Sequence, residues 1–157
     1  MDRMDCVMET KLLIAIDRSD NALKAVDYVG RVLFCHPEVD ISLLHVINEP
    51  SPDLMPDFQD RRRVVAQTKE ETLRLMESIG QRLTACGIPE KRIHLKIQTC
   101  QKVTSVAELI LHELQAGGYD TVVIGRRGVS KREEFLFGSV SNRIVREAKD
   151  CAVWVVE

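Results

Sequence analysis

The chain has 157 residues, of which 45% are hydrophobic, a content typical of one domain with a packed core. Its formal net charge of −2 disfavours a protein that coats nucleic acid, and its 4% aromatic content disfavours base-stacking platforms. The first residues, MDRMDCVMET, lack the apolar centre of a signal peptide, and no stretch reaches the roughly 20 apolar residues of a membrane span. Five scattered cysteines without a C-x-x-C pair predict neither a zinc site nor a disulfide framework, so we expect a cytoplasmic protein.

Five short apolar runs predict five strands. In chain order they are KLLIAI directly before Asp17, ISLLHVI from Ile41, IHLKI from Ile93, TVVI from Thr121 and AVWVV from Ala152. Most of these runs are continuously apolar, which is typical of parallel strands that are covered on both faces. The third alternates between apolar and polar residues, and this pattern predicts a less buried strand near an edge of the sheet.

Helical patterns separate the strands, with apolar residues recurring at i, i+3, i+4 and i+7. Ser19 or Asp20 can cap the first helix, the second is expected to start near Gln59, and Ser139 can cap the fourth. Before the third helix, Ser105 and the glutamate three residues later form a capping box. The alternation of strands and helices predicts a single doubly wound α/β domain over residues 1–157, in which 1–9 form an N-terminal extension.

Two stretches lie where such folds bind ligands, beyond the carboxyl ends of the strands. One is the stretch from Asp17 to Ser19, directly after the first strand. The other is the loop GRRGVSKREEFLFGSVS at residues 125–141, which follows the fourth strand. A helix that begins at Ser139 offers free backbone N–H groups and a positive dipole end to phosphate. Glycines allow sharp turns and a close approach of backbone to ligand, so this loop is suited to an anion.

The loop has the spacing G-2x-G-9x-G-[S/T], and the chain also contains LLIAID, LLHVI, TVVIGRRG, FGSVSNRIV and a terminal AVWVV. In these features it resembles the ATP-binding members of the universal stress protein family, over nearly its whole length. The resemblance implies a flavodoxin-like domain, with a five-stranded parallel sheet of order 3-2-1-4-5 and helices on both faces. It also implies adenosine nucleotide binding and, usually, a dimer.

The resemblance further implies a set of nucleotide-binding residues. The adenine and ribose side is formed by Ile16, Asp17 and Val46, and the ribose and phosphate side by Gly125, Gly128, Gly138, Ser139 and Val140. Ser141 can add a hydroxyl donor. Arg127 lies inside the first Gly-x-x-Gly turn, where phosphate contact and a solvated loop are equally favoured. The alternatives are that the glycines form only a turn and a helix start, and that Asp17 only caps the first helix.

We therefore expect an ATP-binding stress-response or signalling module with at most slow hydrolysis. AMP or ADP are alternative ligands, and Mg²⁺ or Mn²⁺ would accompany the phosphates. No catalytic residue is predicted, because the loop lacks Gly-Lys-[Ser/Thr] and no paired acids are placed for two metals. An ATP hydrolase or phosphotransferase using the same loop is the alternative, and a dimerisation module with an empty pocket is the third hypothesis.

The last strand, Ala152 to Val156, would leave an apolar sheet edge exposed unless it paired with its own copy, so we expect a homodimer. Trp154 would contribute to that contact or pack as core under a helix. Arg18 stands where the family often has glycine, and it would either narrow the adenine pocket or fold outward into solvent. His45 is expected to be a core histidine with its hydrogen bonds satisfied. The triplet Arg61, Arg62 and Arg63 has no function assigned from the sequence.

Overall fold

The computed structural model describes residues 10–36, 38–101, 104–126 and 139–157. The strands are β1 (Lys11–Ile16), β2 (Asp40–Asn48), β3 (Ile93–Cys100), β4 (Thr121–Gly125) and β5 (Ala152–Val156). The helices are α1 (Asp20–Leu33), α2 (Phe58–Ala85), α3 (Val106–Gly117) and α4 (Ser139–Glu147). A short 3-10 turn at Glu90–Arg92 leads into β3.

The strands form one parallel sheet of order β3-β2-β1-β4-β5, which confirms the predicted flavodoxin-like topology. The chain runs from β1 outward to β3, crosses back to β4, and ends at the opposite edge with β5. The helices that follow β1 and β4 lie on opposite faces of the sheet, and this arrangement opens a crevice at the carboxyl ends of these strands. The prediction that the third strand lies near an edge is also confirmed.

Alternation along the strands divides the core into two layers. Leu12 and Ile14 of β1 pack on one side of the sheet with the buried residues of α1 and α2, among them Val26, Met76 and Leu83. On the other side, Leu13 of β1 and Val122 of β4 pack with Ile110, Leu114 and Ile144 of α3 and α4. The sheet is covered on both faces, which explains the continuous apolar runs of β1, β2 and β4.

Local signals set most helix ends. Ser19 caps α1, since its side chain accepts from the Ala22 N–H, and Ser105 forms the predicted capping box with Glu108. The helix α2 begins at Phe58, one residue before the predicted start. The Asp57 carboxylate caps it, since it accepts from the backbone N–H groups of Gln59 and Asp60. The helix α4 is described from Ser139 onward, and because the preceding residue lies outside the described residues, the cap predicted at Ser139 stays a prediction.

Over the described residues, every helix is either too short or too polar to cross a membrane.

Candidate functional site

A cavity of about 150 Å³ opens at the carboxyl ends of β1 and β4, at the predicted crevice. Its walls come from five elements: the ends of β1 and β4, the first turn of α1, the first two turns of α3 and the first turn of α4. Its lining is mostly apolar and consists of Ala15, Ile16, Asp17, Ala22, Val106, Ile110, Ile124, Gly125, Ser139, Val140 and Ser141. Asp17 is the one ionisable side chain among these residues.

Six of the ten residues predicted for the nucleotide line this cavity. They are Ile16, Asp17, Gly125, Ser139, Val140 and Ser141. Val46 does not line it, and packs instead on the core layer beneath α3 and α4. The other three, Arg127, Gly128 and Gly138, lie outside the described residues. The structure thus brings together residues that are more than 120 positions apart in the chain, from Ile16 to Ser141.

Asp17 shapes the loop between β1 and α1 besides lining the cavity. Its Oδ1 atom accepts a hydrogen bond of 2.9 Å from the backbone N–H of Ser19, and a second, short one from the Ser19 hydroxyl. The alternative role for Asp17, capping α1, falls to Ser19 instead. Asp17 therefore stabilises the turn before the helix, and it does so from a position at the cavity wall.

Gly125 is glycine because two backbones meet there. It is the last residue of β4, and it does not adopt the left-handed conformation that Gly87 and Gly118 adopt. A Cβ atom at Gly125 would lie 2.8 Å from both the carbonyl carbon and oxygen of Asn21 in the first turn of α1. The Asn21 side chain also donates to the carbonyl oxygen of Arg126, which ties α1 to the residue that follows β4.

The arginines next to the cavity are engaged elsewhere. The Arg126 guanidinium lies 2.9 Å from the Glu157 carboxylate, and its backbone N–H donates to Val156 at 2.7 Å. Arg18 points away from the cavity and lies 3.7 Å from Glu71 of α2, with both side chains about half exposed. Of the two outcomes expected for Arg18, the outward orientation is the one the structure has. The cavity entrance at β1 is not narrowed by this side chain.

Arg143 connects the two helices that form one wall of the cavity. Its guanidinium donates to the Ser105 hydroxyl at 2.8 Å, to Glu108 at 2.9 Å and to Glu147 at 3.0 Å. The backbone N–H of Ser105, followed by Arg143, lowers the pKa of the Glu108 carboxyl. This network joins the capping box of α3 to the middle of α4, and so holds Val106 near the helix that begins at Ser139.

His45 supports the end of β1 from the neighbouring strand. It lies opposite Ile16, is 8% exposed, and its Nδ1 atom lies 2.9 Å from the Ile16 carbonyl oxygen. A carbonyl oxygen only accepts, so the ring carries its hydrogen on Nδ1 and donates. The expectation of a satisfied core histidine is confirmed. Burial lowers the pKa of His45, although the Ile16 hydrogen bond raises it in part.

We expect His45 to make the protein less stable in mild acid. Its folded-state pKa is lower than the 6.5 of an unperturbed histidine, so the unfolded state binds the proton more readily. The free energy of unfolding should therefore fall as the pH drops below 6.5, and His45→Gln should reduce that slope. Urea denaturation at several pH values between 7.5 and 5 measures it. The exposed His112→Gln is the control, and equal slopes in both variants would contradict the assignment.

The sequence did not identify the apolar walls of the cavity. These are formed by Ala15, Ala22, Val106, Ile110 and Ile124. One signal was present, because Val106 and Ile110 are four residues apart and so share a helix face. That apolar face, however, predicts core packing as readily as a ligand pocket. The two possibilities are distinguished only by the position of the start of α3 beside β1 and β4.

Comparisons with known proteins agree with this architecture. A profile described as the Universal stress protein family matches residues 8–157. The universal stress protein YxiE of Bacillus subtilis (strain 168) is 28% identical to this chain, over 95% of the chain and 99% of its own length. The solved structure of universal stress protein UspA from Lactobacillus plantarum is 19% identical, with a TM-score of 0.73 over 95% of this chain and 98% of its own.

Two further solved structures are complexes with adenine nucleotides. One is a universal stress protein in complex with cAMP, 18% identical, with a TM-score of 0.64 over 93% of this chain and 95% of its own. The other, from Archaeoglobus fulgidus, is in complex with dAMP and is 15% identical, with a TM-score of 0.61 over 94% of this chain and 98% of its own. At these identities the structures establish a shared fold, whereas the profile match covers nearly the whole chain. The chain therefore belongs to the universal stress protein family.

Proposed function

We propose that the protein is an ATP-binding stress-response or signalling module, and that its cavity holds the adenosine part of the nucleotide. The observation that carries this proposal is the convergence of Asp17, Gly125 and Ser139 on one mostly apolar cavity at the carboxyl ends of β1 and β4. Two structural relatives are complexes with cAMP and dAMP, and these adenine nucleotides support the same ligand class.

The residues present fit an adenosine nucleotide. The apolar walls from Val106 and Ile110 accept a flat, weakly polar base, and the Asp17 carboxylate accepts hydrogen bonds from ribose hydroxyls or the adenine amine. The exposed Ser139 hydroxyl and the free N–H groups of the first turn of α4 would donate to phosphate oxygens. Ser141 is buried at the inner side of that turn. Mg²⁺ or Mn²⁺ would be held through the phosphates and would neutralise part of their charge.

The test is direct. Denaturing the purified protein should release an adenosine nucleotide, and titration calorimetry should give binding of ATP and AMP with and without Mg²⁺. Gly128→Val and Gly138→Val are expected to lose this binding. Failure of any adenosine nucleotide to bind at millimolar concentration would overturn the proposal. Steady ATP turnover by the purified protein would favour the alternative, a hydrolase or phosphotransferase at the same site.

We further propose that the protein is a homodimer through β5. This strand is an edge of the sheet, and its residues from Val153 to Val156 are only half buried. Apolar side chains flank the edge on both faces, with Tyr28 and Val32 of α1 and Val145 of α4 each at least 40% exposed. Trp154 packs on the core beneath α1 and contacts the Tyr28 ring edge-on, with ring centroids 6.0 Å apart. A second copy of β5 would cover this apolar rim.

Val155→Pro should separate the dimer without unfolding the protein. The hydrogen bonds Ala152 N to Asp120 O and Arg126 N to Val156 O place the even-numbered residues of β5 toward β4. Val155 then directs its N–H to the open edge, where proline removes no bond within the sheet. Light scattering at micromolar concentration should give about twice the 17.8 kDa chain mass for the parent protein and about once for the variant. A monomeric parent protein would refute the dimer.

A further inference from the structure

A second cleft, of about 400 Å³, lies at the carboxyl ends of β2 and β3, beneath the first half of α2. It shares no lining residue with the cavity at β1 and β4, and it lies on the α2 side of the sheet. The sequence assigned no function to the three consecutive arginines at the start of α2. In the structure these three arginines have different surroundings. Arg62 alone of the three lines the cleft.

Arg61 is a structural residue at the rim of the cleft. Its Nη1 atom donates to the carbonyl oxygens of Met55 and Pro56, at 2.6 and 2.8 Å, and so fixes the proline-containing loop to the start of α2. Its Nε atom lies 3.7 Å from the carboxylate of Glu49, the one acidic residue that lines the cleft. Arg61 therefore offsets the charge of Glu49.

The remaining charge of the cleft is positive. Arg62 and Lys69 are seven residues apart, which places them two turns apart on the same face of α2, and both line the cleft. Among the described residues, neither forms an ion pair with a carboxylate, and Arg62 lies over the Phe58 ring with its Cζ atom 5.7 Å from the centroid. Counting Arg61 (+1), Arg62 (+1), Lys69 (+1) and Glu49 (−1), the net charge is +2, on a chain whose formal charge is −2.

Two polar atoms at this place have no hydrogen-bond partner in the described part of the chain. They are the hydroxyl oxygen of Thr99, a residue of the cleft wall, and the Nε atom of Arg61, which lies beside Glu49 and not on the wall, and both atoms are buried. Leaving such a group unpaired is energetically costly, so native structures usually satisfy it. Gln101 contributes a side-chain amide to the same wall. Two cationic side chains, an aromatic ring and two polar residues thus line one cleft, namely Arg62, Lys69, Phe58, Thr99 and Gln101.

We propose that this cleft binds a small organic anion, with a phosphate or carboxylate group attached to an apolar part. The anionic group lies between Arg62 and Lys69 and accepts from Thr99 and Gln101, and the apolar part packs on Phe58. Arginine and lysine both bind such oxyanions through charge-assisted hydrogen bonds. This site is independent of the nucleotide cavity, so the protein would sense a second metabolite beside the nucleotide.

The experiment titrates the isotope-labelled full chain with phenyl phosphate and, separately, with benzoate, while NMR follows the Gln101 side-chain amide. Arg62→Gln and Lys69→Gln should each weaken binding by about tenfold, as expected for loss of a hydrogen bond to a charged group. Tighter binding of phenyl phosphate would assign a phosphate site, and tighter binding of benzoate a carboxylate site.

Arg63→Gln is the matched control, because Arg63 makes the same charge change from the adjacent residue. Its side chain is 83% exposed, lies 3.6 Å from Asp60, and does not line the cleft, so binding should be unchanged. Thr99→Val tests the site without altering charge, and it should weaken binding while stability stays equal or rises. Equal losses in the Arg62 and Arg63 variants, or no shift of Gln101 at all, would overturn the proposal. Loss of probe binding in Gly138→Val, the variant expected to lose nucleotide, would also overturn it, since the probes would then occupy the nucleotide cavity.

Discussion

Gly125→Ala should destabilise the protein by about 1–3 kcal/mol, the usual range for overpacking a close contact. The added Cβ would lie 2.8 Å from the carbonyl carbon and oxygen of Asn21 and 3.1 Å from the backbone nitrogen of Ala22. These are main-chain atoms, so no rotamer change can relieve the overlap, and either α1 or the end of β4 must shift. Urea denaturation followed by circular dichroism measures the loss.

Gly80→Ala is the matched control for this substitution. Gly80 lies inside α2, and a Cβ there would come no closer than 3.6 Å to Ile93, an ordinary contact. Alanine favours helix over glycine by up to about 1 kcal/mol, so this variant should be as stable as the parent protein or more so. The two glycine-to-alanine changes are thus expected to have opposite signs. A Gly125→Ala variant as stable as the parent would show that α1 does not need to approach β4 this closely.

The same variant bears on ligand binding. Ala22, which the new methyl group would displace, is a cavity wall residue, and its helix α1 contacts β4. We therefore expect Gly125→Ala to weaken nucleotide binding even under conditions in which the protein remains folded. The glycine at the start of the loop pattern would then have a role in positioning α1, in addition to any contact with phosphate.

The fold was predictable from the sequence because its signals are local. Continuous apolar runs predict strands covered on both faces, and the alternation of Ile93, Leu95 and Ile97 predicts the exposed edge strand β3. The capping box at Ser105 needs only residues three positions apart. The strand order itself came from the family resemblance, and the parallel pairing of β1 with both β2 and β4 confirms it.

The site was predictable only in part, because its remaining properties depend on contacts between distant residues. The reason for glycine at position 125 lies in Asn21, more than 100 residues earlier in the chain. The orientation of Arg126 depends on Glu157, and that of Arg18 on Glu71 of α2. A pattern of residue types cannot show which of several nearby arginines has a carboxylate within reach. For that reason Gly125 and Ser139, which line the cavity, were better indicators of its position than Arg18 and Arg126.

Asp17→Asn should weaken nucleotide binding by about 10- to 100-fold, while changing stability little. The asparagine Oδ1 atom can still accept from the Ser19 N–H, so the turn between β1 and α1 is retained. What is lost is the negative charge at the cavity wall, and a hydrogen bond to a charged group contributes about 1.5–3 kcal/mol. Titration calorimetry with ATP and AMP, together with urea denaturation, separates the two effects.

Two further variants separate the role of Asp17 in the turn from its role toward the ligand. Ser19→Ala removes the cap of α1, in which the Ser19 hydroxyl accepts from the Ala22 backbone N–H at 3.4 Å. The free energy of unfolding should fall by about 1 kcal/mol, and the affinity for nucleotide should be nearly unchanged. Asp20→Asn removes one negative charge from the first turn of α1, at a residue that does not line the cavity, and should leave affinity intact.

The affinities and stabilities of these three variants together distinguish between the possible roles of Asp17. If Asp17 binds the ligand, only Asp17→Asn loses affinity, and it does so at nearly parental stability. If Asp17 serves the turn alone, Asp17→Asn binds nucleotide as well as the parent protein. If the effect is a general loss of negative charge near α1, Asp20→Asn changes affinity by a similar factor. The last two outcomes would each remove Asp17 from the proposed site and leave the apolar walls and the first turn of α4 as its determinants.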